Sequence, residues 1–433
     1  MKEVQAMLNG AFVLAAGTSS RMESRTSKLL QKVAGRPMIL WVKEALKQAG
    51  ASEQVYVVGY QQAEIRKTVG ENMIYMLQER PLGTGHATAK AASFLEGVDG
   101  AILVCPADIP LIRPQTLVKL VRRFEETKCA CAFLTAHIAK ELNLTYEEVC
   151  RDSNGEVCDL KSAPKFNQSV DFFTESGGFF SRSRNLTPRM RNDLVEVSSG
   201  IYCFDTSLLL SALGKIGAKL GNDRPYELSD IIKLLLADGQ KVETVEAYSL
   251  EVLGVKTRAE LDDVIYIMNQ RICDYHMLRG VTIVDPDTCQ IDYDVRIGAD
   301  TVVGPNVVLL DGCQISTNCE IGPFSTLKSA IIGANTKVER AVLTECKLGQ
   351  DNRIGAFTEI RQSVLGDDCQ VDSFSLVQNS ELQAQNLVND HVSLTYIKSE
   401  KMQEYKSGTV LRNHLSQKQE ERREKENIRN KQK

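Results

Sequence analysis

A turn of small residues followed by two cations is the first segment whose residue types could do chemistry. The turn directly follows an apolar run and comprises Leu14, Ala15, Ala16 and Gly17, and Arg21 and Lys28 come after it. Small side chains allow backbone N–H groups to approach phosphate oxygens closely, and the two cations add fixed positive charge. The pattern indicates a triphosphate-binding turn, although taken alone it is equally typical of an ordinary turn with two solvated cations.

Two later segments carry groups that suit the rest of a nucleotide. Gln78 supplies an amide and Thr84 a hydroxyl beside Gly83, just before a predicted helix, and these groups are suited to reading the edge of a nucleobase. Asp108 follows an apolar run, and ligands of open α/β sheets bind at the carboxyl ends of strands. Its carboxylate is therefore placed to hold a metal ion against a phosphate; the alternative is a turn or capping residue. A phosphate-binding turn, a segment that reads the base and an acidic residue thus follow three predicted strands in this order. This arrangement predicts a nucleotidyltransferase.

Alternating strands and helices are predicted to position these groups. Residues 11–16, 54–58 and 100–104 are short apolar runs typical of buried strands, and residues 38–50 and 85–95 have helical spacing. Such alternation favours a mostly parallel sheet with helices on both faces. We therefore predict an α/β fold with a Rossmann-like nucleotidyltransferase domain.

The second half of the chain has a different period. From Ile291 onward, aliphatic residues recur at intervals of five or six, many of them followed by glycine. They include Ile297, Val303, Leu309, Ile315, Ile321, Leu327, Ile354, Ile360, Leu365, Val371 and Val377. A six-residue period fits neither a helix nor a flat strand and is typical of a triangular parallel β-helix made of hexapeptide repeats.

These patterns divide the chain into four predicted parts. The nucleotidyltransferase domain covers residues 1–253, a linker helix 254–279, the β-helix 280–400 and a charged tail 401–433. Within the first part, residues 166–192 contain glycine, serine and arginine, and we predict a mobile surface loop there.

Composition limits the class of protein. Fifty-two Lys and Arg against 56 Asp and Glu give a net charge of -4, so the charge balance does not favour a nucleic-acid or membrane partner. The early apolar run is too short to span a bilayer. Twelve scattered cysteines without a Cys-x-x-Cys pair predict reduced, mostly buried thiols and a cytoplasmic location.

Several motifs together resemble one family, the bacterial UDP-N-acetylglucosamine pyrophosphorylases that are joined to a left-handed β-helix acetyltransferase. The resemblance covers the chain to about Ile397, and the motifs lie at residues 14–28, 78–87, 108–111, 199–202, 228–232, 252–255 and 276–286. It implies uridylyl transfer from UTP to N-acetylglucosamine-1-phosphate, with Mg²⁺ as the cofactor and a homotrimer formed through the β-helix. It also implies roles for individual residues: Arg21 and Lys28 for the phosphates, Asp108 for Mg²⁺, and Leu14, Ala15, Ala16, Gly17, Gln78, Gly83, Thr84, Ser198 and Gly200 for the substrates.

The chain also departs from that family's pattern. The family's second metal ligand, an asparagine, is replaced by Lys256, and its sugar-contacting residues fall at Glu147, Ser162 and Ser198. An ammonium group at a metal site repels the cation, but it could instead contact phosphate. Two interpretations stay open: an active enzyme with an altered sugar site, or a catalytically degenerate protein that binds nucleotide or serves as a scaffold.

The β-helix shows departures of its own. The family's catalytic histidine is missing between Ser393 and Leu394, and His391 lies three residues before Leu394. The coils that complete the acetyl-CoA cleft are replaced by the charged tail. Because a general base needs hydrogen-bond reach to the amine, we predict a shortened β-helix without acetyltransferase activity.

Overall fold

A computed structural model describes residues 8–18, 20–139, 146–161, 194–220 and 224–413. The chain divides into two compact units, Met1–Ile267 and Met268–Lys433. The predicted loop at 166–192 lies outside the described residues. In the described part of the chain, no helix is both long and apolar enough to cross a membrane.

A mixed sheet of nine strands forms the centre of the first unit, with the order β11-β7-β10-β6-β1-β4-β5, and with β8 paired to β10 and β9 paired to β8. A separate short hairpin pairs β2 with β3. The strands are β1 (Leu8–Ala15), β2 (Lys32–Val33), β3 (Arg36–Pro37), β4 (Gln54–Val58), β5 (Ile74–Leu77), β6 (Ala101–Pro106), β7 (Cys131–Ala139), β8 (Glu148–Arg151), β9 (Val157–Lys161), β10 (Leu194–Asp205) and β11 (Val242–Glu246). Strands β6, β1, β4 and β5 run parallel, so their carboxyl ends meet at one edge.

Seven helices accompany the described strands: α1 (Met38–Gln48), α2 (Gln62–Val69), α3 (Thr84–Lys90), α4 (Pro114–Thr127), α5 (Thr206–Leu220), α6 (Leu228–Ala237) and α7 (Arg258–Met277). Central strands such as β1 and β4 are apolar on both faces, and their side chains divide between two hydrophobic clusters. Phe12 and Val13, which are neighbours in β1, are both fully buried but belong to different clusters. This two-sided burial is typical of a parallel sheet covered by helices and confirms the predicted α/β fold.

Three stacks of very short parallel strands form the second unit, a left-handed β-helix, which confirms the fold predicted from the hexapeptide period. The first stack contains β12 (Thr282–Ile283), β15 (Val302–Val303), β18 (Glu320–Ile321), β21 (Lys337–Val338), β24 (Arg353–Ile354), β27 (Gln370–Val371), β30 (Leu387–Val388) and β32 (Glu404–Tyr405). The second contains β13 (Gln290–Ile291), β16 (Val308–Leu310), β19 (Thr326–Lys328), β22 (Val342–Thr344), β25 (Glu359–Arg361), β28 (Leu376–Gln378), β31 (Ser393–Thr395) and β33 (Val410–Arg412). The third contains β14 (Arg296–Ile297), β17 (Gln314–Ile315), β20 (Ile331–Ile332), β23 (Lys347–Leu348), β26 (Val364–Leu365) and β29 (Glu381–Leu382).

The aliphatic residue of each repeat points into the prism. Of the repeat positions identified in the sequence, Ile297 is partly buried and the others are buried in one continuous core. The glycine after the aliphatic residue allows successive coils to approach, because a Cβ on Gly333 would lie 2.3 Å from the carbonyl carbon of Gly349. Close stacking of coils therefore explains why glycine follows the aliphatic residue so often.

The corners of the prism place non-glycine residues in the left-handed region. Asn318, Asn335 and Asp351 occupy one corner of successive coils, with φ between 55° and 61°, and their side chains form a hydrogen-bonded column. Asparagine and aspartate adopt this conformation more readily than other side chains. At another corner, the rings of Phe357 and Phe374 stack with centroids 5.1 Å apart.

The β-helix continues further than the sequence predicted. Residue 401 was expected to begin a charged tail, but β32 and β33 pair with β30 and β31 and extend the first two stacks by one strand each. Tyr405 supplies the inward side chain of this coil and is 2% exposed. The sequence pattern did not predict this extra coil because a tyrosine occupies the inward position where an aliphatic residue is expected. Residues 414–433 lie outside the described residues.

Candidate active site

A cavity of about 430 Å³ opens at the carboxyl ends of β1 and β6. It is lined by residues from five segments of the first unit that are far apart in sequence. These are Leu14, Ala16, Gly17, Thr18, Arg21, Lys28 and Leu29; then Gln78, Pro81, Gly83, Thr84 and Ala87; then Pro106 and Asp108; and finally Glu227 and Lys256. Its volume falls in the range that small-molecule and cofactor sites occupy.

The turn after β1 presents backbone to the cavity. The N–H of Ala107 donates to the carbonyl of Leu14 over 3.1 Å, which ties the turn to the end of β6. A Cβ built on Gly17 would meet no protein atom within 4 Å. The space in front of this glycine is therefore open to a ligand. Strand β1 ends at Ala15, so the turn lies at the edge of the sheet where ligands of α/β folds bind.

The segment before α3 is held by an acidic residue that the sequence analysis did not select. One carboxylate oxygen of Glu227 accepts from the backbone N–H of Thr84 over 2.8 Å and from its hydroxyl over 2.6 Å. Glu227 also forms a capping box with Asp230 at the start of α6. The spacing of two acidic residues around Leu228 could have revealed the cap, but not its bond to a segment more than 140 residues earlier.

Gln78 and Gly83 form a compact unit next to Thr84. The Gln78 amide donates to the carbonyl of Gly83 over 3.1 Å and lies 2.8 Å from Nδ1 of His86. Gly83 has a φ of 94°, and a Cβ there would lie 2.3 Å from the carbonyl oxygen of Tyr226. Only glycine fits this position without moving the backbone. These hydrogen bonds fix the orientation of the Gln78 amide before any ligand is present.

Asp108 lies between two lysines. The ammonium of Lys28 forms an ion pair with the Asp108 carboxylate and donates to the carbonyl of Val255 over 3.0 Å. The backbone N–H of Val255 in turn donates to the carbonyl of Asp108 over 2.9 Å. Burial alone would raise the pKa of Asp108, but Lys28 and, more weakly, Lys256 hold it below its ordinary value. The carboxylate is therefore ionised and already paired within the protein.

Lys256 extends from the segment just before α7. Its backbone N–H donates to the Glu260 carboxylate over 2.7 Å, and Thr257 shares the same acceptor, as at a capped helix start. The ammonium lies 4.8 Å from the centroid of the Tyr146 ring. Burial lowers the pKa of Lys256 to about 8, against the opposing charges of Asp108 and Glu260.

The cavity unites most of the residues that the sequence predicted, but not all of them. Among the described residues, its lining does not include Ala15, Ser198 or Gly200. Ala15 is buried in β1, and the hydroxyl of Ser198 lies 3.0 Å from that of Tyr202, inside the sheet. Gly200 sits at a register shift in β10, next to Pro106. The substrate contacts predicted for these three residues stay predictions.

Each of the two units matches the model of a known protein domain. Residues 11–161 match the model of the MobA-like NTP transferase domain, and residues 278–397 match the GMPPB C-terminal domain. A solved structure of CMP:2-keto-3-deoxy-manno-octonic acid synthetase complexed with CTP covers 61% of this chain and 100% of its own, with 17% identity and a TM-score of 0.42. That likeness is too distant to carry an inference.

Curated relatives named bifunctional protein GlmU are much more similar. The relative from Acetivibrio thermocellus is 33% identical over 78% of this chain and 68% of its own length. Those from Geobacillus thermodenitrificans and Carboxydothermus hydrogenoformans are 32% identical over 78% of this chain, and over 69% and 70% of their own lengths. The resemblance predicted from the motifs is therefore confirmed. The chain belongs to the bifunctional protein GlmU family, and it is a nucleotidyltransferase.

Proposed function

We propose that the chain transfers a uridylyl group from UTP to a sugar-1-phosphate, with N-acetylglucosamine-1-phosphate as the default acceptor. One observation carries this proposal: a single cavity joins the turn after β1, the cations Arg21, Lys28 and Lys256, and the Gln78–Thr84 segment. The turn and the cations suit a triphosphate, while the amide of Gln78 beside Gly83 suits a uracil edge. The choice of N-acetylglucosamine-1-phosphate as the acceptor follows from the family to which the chain belongs.

The reaction needs positioning and charge neutralisation rather than a protein nucleophile. A phosphate oxygen of the sugar-1-phosphate attacks the α-phosphorus of UTP, and a new P–O bond forms there. The bond from the α-phosphorus to the bridging oxygen breaks, and its electron pair leaves with pyrophosphate. Lys28 and Arg21 would neutralise charge on the phosphates, and the turn after Leu14 would orient them. Cys105 in β6 is buried, and burial raises the pKa of its thiol. This thiol is therefore not the thiolate that a protein nucleophile would require.

Members of the family generally use a divalent metal. In the described part of this chain, however, no group of three or more His, Cys, Asp and Glu side chains could hold one. The Asp108 carboxylate is paired with Lys28, and the ammonium of Lys256 is close enough to lower its pKa further. These residues do not fit a divalent cation held by protein side chains alone, whereas a cation shared with phosphate oxygens needs fewer protein ligands. Mg²⁺ at Asp108 stays a prediction.

We also propose that the β-helix lacks acetyltransferase activity. His391 is the only histidine between residues 280 and 413, and its ring stacks on that of Phe374 with centroids 5.0 Å apart. A ring packed in this column is poorly placed to deprotonate a substrate amine. Full-length protein should release no CoA from acetyl-CoA with glucosamine-1-phosphate, as measured by mass spectrometry, with a bifunctional relative as the positive control. CoA release above the blank would contradict the proposal.

A homotrimer formed through the β-helix is the assembly that we propose. Outward-facing apolar side chains support it: Ile331 and Val364 lie in the same stack of strands and are 42% and 46% exposed. Analytical ultracentrifugation of the full chain should give three times the 48.0 kDa mass of the monomer. The double substitution Ile331→Lys and Val364→Lys should dissociate it. A monomeric wild type would overturn this assembly.

The central test is pyrophosphate release from UTP across a panel of sugar-1-phosphates, with Mg²⁺ present. Turnover with one acceptor supports the transferase, and Asp108→Asn should then lower the rate by at least about a hundredfold, because Lys28 loses the partner that positions it. Lys233→Met, a substitution of an exposed lysine outside the cavity, is the matched control.

A second function is favoured by one observation, the ion pair that occupies Asp108. A protein that binds nucleotide without turnover would show UTP binding by calorimetry and no pyrophosphate release with any acceptor. That combination would replace the transferase proposal with the degenerate binding protein.

A further inference from the structure

The charges that face the cavity are not balanced within the protein. Both carboxylates of the lining are satisfied: Asp108 pairs with Lys28, and Glu227 accepts two hydrogen bonds from Thr84. Among the described residues, no carboxylate forms an ion pair with Arg21 or with Lys256. Within the described residues, the lining therefore carries three cations against two carboxylates, and Arg21 and Lys256 are the two cations without a direct ion pair.

Lys256 is the more unusual of the two. Its ammonium is partly buried, and within the described parts of the chain no acceptor lies at hydrogen-bond distance from it. Its one close contact is the face of the Tyr146 ring. A cation–π contact leaves the three N–H donors of an ammonium available to a ligand. Because Lys256 lines the cavity, a ligand that supplies anionic oxygens there would be a natural partner for its ammonium.

The backbone that carries Lys256 is fixed from both sides. On the chain side, Glu260 binds the backbone N–H groups of Lys256 and Thr257, so the side chain starts from a capped helix end. On the cavity side, backbone bonds join Val255 to Asp108. Tyr146 is itself anchored, because its hydroxyl accepts from the N–H of Gly254 over 3.0 Å. The backbone of Lys256 is thus held beside Asp108, and the Tyr146 ring against which its ammonium lies is anchored as well.

We propose that Lys256 is a phosphate-binding residue that, with Arg21 and Lys28, neutralises the polyphosphate of the nucleotide and the departing pyrophosphate. On this proposal, the protein holds no divalent cation of its own, and any metal ion enters bound to the nucleotide. The inference rests on the proposed function for the identity of the nucleotide. It goes beyond that function by assigning to an ammonium the charge neutralisation that protein-bound metal ligands would otherwise provide.

A polyphosphate fits this arrangement better than a single phosphate. Three cations face one cavity, Arg21 and Lys28 from the segment after β1 and Lys256 from the segment before α7. Lys256 adds its charge near Asp108, at the end of β6, whereas Arg21 belongs to the turn after β1. A loss of Lys256 should therefore affect ligands that carry two or three linked phosphates and spare uridine monophosphate, whose single phosphate the other two cations can hold.

Calorimetric titration of full-length protein tests the phosphate contact. The ligands are UTP, pyrophosphate and UMP, each with EDTA and each with Mg²⁺. In EDTA, Lys256→Met should weaken UTP and pyrophosphate binding about 10- to 100-fold, the effect of losing one charge-assisted hydrogen bond. UMP binding should change less than about threefold. Lys215→Met, which removes an exposed lysine of α5 paired with Asp238, is the control for the loss of a positive charge.

A second variant, Lys256→Gln, separates the charge from the packing of the stem, and thermal unfolding checks that both variants are folded. If both folded variants bind UTP and pyrophosphate as tightly as wild type, Lys256 does not contact phosphate and the inference fails. It also fails if UMP is weakened as much as UTP, since that result indicates a general disturbance of the site.

A second experiment tests whether the protein alone binds a divalent cation. It uses Mn²⁺ as a spectroscopic probe in the absence of nucleotide. Wild-type protein should bind no stoichiometric Mn²⁺ in electron paramagnetic resonance titrations, and binding should appear when UTP is added. One tightly held Mn²⁺ in the protein alone would overturn the inference. Failure of the proposed function looks different: UTP would still bind and still depend on Lys256, but no sugar-1-phosphate in the panel would release pyrophosphate.

Discussion

The affinity for UTP should fall as the pH rises from 7 to 9, because Lys256 loses its proton in the free protein. Burial lowers the pKa of this lysine from its ordinary value of 10.5 to about 8. Asp108 and Glu260 oppose that shift, while Arg21 and Lys28 add to it. When a polyphosphate binds beside the ammonium, the added negative charge favours the protonated form and returns the pKa toward 10.5.

The magnitude follows from these two values. At pH 7 most of the free protein already carries the charged lysine, but at pH 9 only about a tenth does, so binding must take up a proton. If the bound pKa recovers fully, affinity at pH 9 is about tenfold lower than at pH 7, or about 1.4 kcal/mol. Asp108 does not contribute, because its pKa is lowered and it stays ionised throughout, and the raised pKa of Tyr146 keeps that residue neutral.

The assay is UTP titration by calorimetry at pH 7, 8 and 9 in two buffers of different ionisation enthalpy, which reports proton uptake directly. Wild type should take up close to one proton per UTP at pH 9 and almost none at pH 7. Lys256→Met should have a flat affinity profile and no uptake above that of the ligand alone. If wild type and Lys256→Met give the same profile, the titrating group lies elsewhere and the reasoning about this lysine is refuted.

Three further predictions concern local geometry. Gly17→Ala should leave the melting temperature unchanged, because the added Cβ meets no protein atom within 4 Å. It should nevertheless weaken UTP binding at least about tenfold, because the turn approaches the phosphates closely. Equal affinity of the variant and the wild type would show that the turn does not contact the phosphates. Gly333→Ala should lower the free energy of unfolding by about 1–3 kcal/mol through its clash with the next coil, whereas Gly214→Ala, in an open position of α5, should raise it by about 0.5–1 kcal/mol. Asn335→Ala should cost about 1–2 kcal/mol in denaturant unfolding, because alanine disfavours φ of 58° and loses two side-chain hydrogen bonds.

Much of the fold was predictable because its signals are local and repeated. The aliphatic residues from Ile291 onward identify the β-helix because each side of every coil requires one inward side chain. The predicted strand at 54–58 coincides with β4, and the predicted helix at 38–50 with α1, which ends at Gln48. The last coil was not predicted because Tyr405 replaces the expected aliphatic residue.

Most residues that line the candidate site could be selected from the sequence, but the bonds between them could not. The types and spacing of Gln78, Thr84 and Asp108 are sufficient to indicate a nucleotide ligand. Which partner each side chain takes depends on segments that are distant in sequence, as in the bond from Thr84 to Glu227. The pairing of Lys28 with Asp108 is a similar case, because it depends on how the loop after β6 meets the short 3-10 helix at Lys28–Leu30.

Backbone bonds rather than side chains hold the walls of the cavity in register. Ala107 bonds to Leu14, Val255 to Asp108, and Gly85 to Tyr226, so neighbouring segments of the lining are joined through main-chain atoms. Because these bonds do not depend on side-chain identity, the lining residues can change while the cavity keeps its form. A lysine at position 256 can therefore be accepted without rebuilding the sheet edge. On our proposal, this lysine neutralises phosphate charge while the fold of the unit stays intact.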